Sequence, residues 1–191
     1  DVSGIGGDHI NDVDLNDIQQ IEVVRGPSSL LYSNGTVGGI INIVDNTIPR
    51  ADIEGLELKI GVEGQSVNDG DSKNFSYANN IGGINLTVTY KDSKFGNFDV
   101  PRGAIIHSEE HEDEHEEDLS FLANSDYESE SSRIGVSKTA ERGYIGVSYS
   151  NVESLYGIPF HGEGHDEEGY ERIFSSSESD VFNLEGSIAL S

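Results

Sequence analysis

From residue 56 onward the chain alternates apolar and polar side chains with a period of two. Few folds accept that pattern, because it fits only strands with one apolar and one polar face. In GLELKIGVEG, Leu56, Leu58, Ile60 and Val62 share one face, and Glu57, Lys59 and Glu63 the other. Residues 74–81 alternate more weakly, with Phe75, Tyr77 and Ile81 together. In INLTVTYK, Ile84, Leu86, Val88 and Tyr90 oppose Asn85, Thr87, Thr89 and Lys91. SRIGVSKT and YIGVSYS repeat the pattern, as do Phe182, Leu184, Ile188 and Leu190. The spacing predicts six strands at about 56–64, 73–81, 84–96, 132–139, 143–155 and 180–190.

The connections between them alternate in length. Gly82-Gly83 and Ala140 to Gly143 are tight turns, whereas 65–72, about 97–131 and about 156–179 are longer. A soluble sandwich has the same period. Short turns at one rim and long loops at the other are the layout of a transmembrane β-barrel. An open six-stranded sheet cannot span lipid with unpaired edges, so the remaining strands are expected beyond Ser191. The opening DVSGIGGDH likewise reads as the middle of a longer sequence.

Composition narrows the partners. The net charge is −25 over 191 residues, with a pI near 4.2. Such a surface repels nucleic acid and attracts cations. There is no cysteine, which excludes disulfides and thiolate metal sites. No apolar run is long enough for a transmembrane helix. No Ser-His-Asp set or paired carboxylates in a cleft context stand out, so no enzyme is expected.

Residues 1–50 follow a different grammar. IEVV (21–24) reads as a strand, Arg25-Gly26-Pro27 as a break, and SLLYS as a short helix capped by Ser28 and ended at Asn34-Gly35. IINIV (40–44) reads as a second strand, and both strands look buried on both sides in a small α+β unit. The run IEVVRGPSSLLYSNGTVGGIINIVDNTIP (21–49) closely resembles the end of the plug domain of TonB-dependent outer-membrane receptors. The resemblance implies a plug end over 1–50, a linker over 51–55 and the start of a 22-stranded barrel over 56–191. It also implies a bacterial outer-membrane location, contact with outer-membrane lipid, and coupling to the TonB energy-transducing complex through an N-terminal segment not contained here.

FGNFDVPR, RGYIGVSYSNVESLYGIPFHG and the pair Asp8, His9 resemble the zinc-uptake branch of these receptors. That resemblance implies Zn²⁺ as transported ligand, with Asp8 and His9 as plug ligands beneath a His- and acid-rich outer loop running on from His161.

The histidines themselves point to divalent metal. In HSEEHEDEHEED, His107, His111 and His115 lie four apart among eight acidic residues. On a helix they would share one face, and imidazole with carboxylate suits zinc, copper or nickel. In HGEGHDEEGYE, His161 and His165 are again four apart, beside Glu163 and Asp166. All six histidines fall in these two loops or at His9, and none falls in a predicted strand. Strand parity puts both loops on the outer rim. Plain solvated acidic loops give the same charge run. The expectation is a receptor that imports a divalent metal ion, zinc first. The alternatives are a receptor for a metal chelate or haem, or a secreted calcium-binding acidic β domain acting in adhesion.

Overall fold

A computed structural model of the chain describes residues 18–26, 39–102, 120–159 and 172–190. Every element among them is a strand. β1 (Ile18–Arg25) and β2 (Gly39–Asp45) form an antiparallel pair. β3 (Glu57–Gln65), β4 (Gly70–Ile81), β5 (Ile84–Phe95), β6 (Tyr127–Ala140), β7 (Gly143–Gly157) and β8 (Phe174–Ile188) form a six-stranded antiparallel sheet in chain order. The helix expected over SLLYS lies outside the described residues.

Four expectations need correction. β6 begins at Tyr127 and β8 at Phe174, five and six residues before the expected starts at 132 and 180. β4 begins at Gly70, so only residues 66–69 separate it from β3 and the first outer connection is short. In each case the extra strand is rich in Ser, Asp and Glu, and it carries the ladder past the apolar stretch. Lastly, β1 and β2 are not buried on both sides: Ile21, Val23, Ile41 and Ile43 form one exposed apolar face.

The six-stranded sheet is inside out relative to a soluble domain. Its outward face carries Ile60 (72 % exposed), Phe182 (80 %) and Leu184 (71 %), with Leu58, Ile84, Val136, Ile145 and Val147. Its inward face buries Asn85 (0 %), Ser137 (1 %), Thr87, Ser72, Ser93 and Ser131. Among the described residues no second sheet covers the apolar face. A soluble sandwich would not leave it bare. A barrel wall in lipid does, because the apolar band faces the acyl chains. Phe75 pairs with Tyr90, and the Tyr149 and Phe182 rings lie 4.7 Å apart, so aromatics mark the outer edge of the band. Beyond it the outward face turns charged, with Asp92, Lys94, Glu128 and Glu130. No helix among the described residues is long and apolar enough to cross a membrane, which says nothing against crossing by strands.

The connection from β2 to β3 is fixed against the polar inner face. Thr87 Oγ1 donates to the Thr47 carbonyl (2.6 Å), and Ser137 Oγ to the Pro49 carbonyl (2.6 Å). Asn85 donates to Ala51 O and accepts from Ile53 N. Thr139 and Asn80 both donate to Asp52. Gly135 is required here, since a Cβ would run into the Thr47 carbonyl. The wall thus meets the incoming backbone with small hydroxyls, an amide and a glycine, which satisfy carbonyls that burial would otherwise leave orphaned. At the far rim Gly82 and Gly83 have φ of 63° and 85°, the two-residue hairpin that only such residues form at low cost.

Candidate functional site

Asp8, His9, His107, His111, His115, His161, Glu163, His165 and Asp166 all lie outside the described residues. Among the described residues no group of three or more His, Asp or Glu could hold a metal ion. What is visible is the rim from which the histidine-bearing segments leave.

That rim is tied together. Asp99 bridges Phe121, flanked by Val100 N to Ser120 O and Leu122 N to Phe98 O, both 2.8 Å. Ser125 closes the same root: its hydroxyl accepts from Phe98 N at 2.8 Å and donates to Leu122 O at 2.6 Å. Gly96 N and Asp99 N reach the short first connection at Asn68 O and Val67 O. Across the next gap, Ile158 N donates to Ile173 O and Gly157 N to Asp126 O. Arg172 then grips Asp126 with two guanidinium bonds, 2.9 and 2.6 Å. The Asp126 carboxyl is held below its ordinary range, first by these hydrogen bonds and against the opposing effect of burial. The root of segment 103–119 and the root of segment 160–171 are therefore one joined structure.

Below the rim, the inner wall carries a recess of about 130 Å³. Ser72, Ser93, Ser129 and Ser131 line it with hydroxyls, and Phe95 stacks on Tyr127 at 6.1 Å. Lys91, Arg133 and the carboxylate Glu63 line it as well. A second recess of about 390 Å³ lies between β2 and the wall of β6 to β8, lined by polar residues that include Asn42, Asp45, Arg50, Ser148 and Glu185. Arg133 lines both. Sequence reasoning passed over these inward residues. The alternation puts them on the polar face, but only the register brings Lys91 opposite Ser131 and two residues from Arg133.

Comparison with known proteins bears on the N-terminal part. Residues 2–40 match the TonB-dependent Receptor Plug Domain. A 44-residue stretch is 48% identical to the pesticin receptor of Yersinia enterocolitica and, equally, to that of Yersinia pestis. It covers 22% of this chain and 6% of those proteins, so the chain spans a small part of its curated relatives. A plug segment followed by an inside-out antiparallel sheet supports a TonB-dependent receptor in the bacterial outer membrane. That is a receptor and transport family, not a class of enzymes.

Proposed function

We propose that this chain is the plug end and first six barrel strands of a TonB-dependent receptor that imports a divalent metal ion, zinc first. The division is the plug end to about residue 50, a linker over 51–55, then the barrel wall. The observation that carries the reading is the joined rim: two segments rich in histidine and carboxylate leave from roots locked by Asp126 and Arg172. Imidazole and carboxylate from two such segments with joined roots suit a weak, multidentate collector, from which ions can also leave. Asp8 and His9 supply two ligands of a tighter site, completed by residues of the wall or loops. The energy comes from the TonB complex pulling on the plug. Outer-membrane lipid surrounds the wall.

The test is zinc calorimetry on the full-length receptor in detergent, with excess calcium, beside His9→Ala. The reading expects tight zinc binding that survives calcium and is lost in the variant. Weak binding abolished by calcium, the same in both proteins, contradicts it.

A further inference from the structure

We infer that the inner wall bears an oxyanion-binding site built by Lys91 and Arg133. The two cations sit on adjacent strands and both face inward. Lys91 pairs with Ser131, and Arg133 follows two residues later on the same face. That makes them diagonal neighbours, at roughly 7–8 Å between backbones, within joint reach of one small group.

All eleven Lys and Arg residues of the chain are among the described ones, against 36 acidic residues in the whole chain. Arg50, Lys73, Lys94 and Arg172 are taken up in ion pairs with Glu185, Asp71, Glu128 and Asp126. Lys91 and Arg133 have no ion pair or side-chain hydrogen bond among the described residues. Two like charges side by side on a half-buried wall repel each other, and Glu63, the one carboxylate in the recess lining, balances at most one of them, which leaves a place for an added anion.

The surroundings fit that anion. Ser72 and Ser93, in the recess lining, hydrogen-bond each other at 3.0 Å, which leaves one of their two protons to donate, and Ser131 can donate to the same oxygens. Arg133 offers a planar fork for a carboxylate or phosphate, and Lys91 a point charge. At about 130 Å³ the recess holds one anionic group, with the stacked Phe95 and Tyr127 also lining it to meet an apolar part of the same molecule. In a chain of net charge −25 the general field repels anions, so this is a local reversal. The site takes the carboxylate or phosphate group of a small ligand. It stands independently of the metal-import reading, because it uses none of the histidines.

The experiment is affinity labelling of the full-length receptor in detergent with pyridoxal 5′-phosphate. Its aldehyde condenses with a lysine amine, releasing water, and borohydride reduces the imine for peptide mapping. Lys94, outward and paired with Glu128 at 2.6 Å, is the internal reference. Lys91 is expected to label about 10-fold faster than Lys94, the factor that one charge-assisted hydrogen bond supplies. Pyrophosphate should protect it, and pyridoxal without phosphate should lose the preference. Arg133→Gln should remove most of the preference and Arg133→Lys restore much of it, with Lys94 labelling unchanged as the sign of a folded protein. Equal labelling of Lys91 and Lys94, or a preference indifferent to Arg133→Gln, overturns the site. No metal enters the measurement, so its failure and that of zinc import are separate results.

Discussion

The Thr87 hydroxyl donates a 2.6 Å hydrogen bond to the carbonyl of Thr47, forty residues earlier in the chain. Both residues are buried, and Gly135 on the neighbouring strand leaves the room for that approach. Thr87→Val keeps the shape and strands the Thr47 carbonyl. The expected loss is about 1–3 kcal/mol, the desolvation of an unpaired buried acceptor. Thermal unfolding of the full-length receptor in detergent reads it, and Thr87→Ser should stay near the parent. A Val variant as stable as the parent would mean the contact is idle.

The Asp126–Arg172 pair gives a pH dependence with a definite sign. Asp126 is held below its ordinary value of 3.8, chiefly by the Arg172 hydrogen bonds. A depressed carboxyl stabilises the fold fully above the unfolded value, and the contribution disappears as pH falls through the folded value. This contribution to the rim should therefore be full well above 3.8 and fade as pH falls below it. Amide exchange at Gly157 and Ile158 reports it, because both amides bond beside the pair. Arg172→Gln should speed their exchange at neutral pH and remove the acid dependence.

The outward face above the aromatic edge carries a row of like charges. Asp92 pairs with Glu130, Glu130 with Glu153, and Glu153 with Glu178. Directly opposed like charges destabilise a sheet by roughly 0.2–1 kcal/mol per pair. Glu153→Lys turns two repulsive pairs attractive and should raise the unfolding temperature of the full-length receptor. The gain should shrink toward ~1 M salt, where screening is within about 3 Å. A gain that persists in high salt, or a loss, would contradict this account of the row.

How much of this was legible in the sequence follows the same physics. Alternation around Leu58, Val88 and Val147 announces strands because apolar residues mark one face. FSSSES at the start of β8 carries no apolar marker after its first residue, so its strand was invisible until pairing with β7 revealed it. Loop lengths pointed to a barrel wall, and the buried Asn85 and Ser137 on its polar face agree with that layout. The Asp126–Arg172 tie joins residues 46 apart, and the Lys91–Arg133 pairing depends on register across a long connection, so neither leaves a local signal. The histidine-bearing segments remain readable from sequence alone, as spacing and residue type.

The central structural claim is that the apolar face of the wall meets lipid and the hydroxyl face meets the lumen. Spin labels placed singly at Leu86, Val88, Thr89 and Ser131 of the full-length receptor in bilayers test it by their collisions with oxygen and with a water-soluble nickel complex. The account predicts that labels at 86 and 88 meet oxygen and exclude nickel, while labels at 89 and 131 do not show that lipid signature. Lipid-like accessibility at 89 and 131, with 86 and 88 shielded, would contradict it.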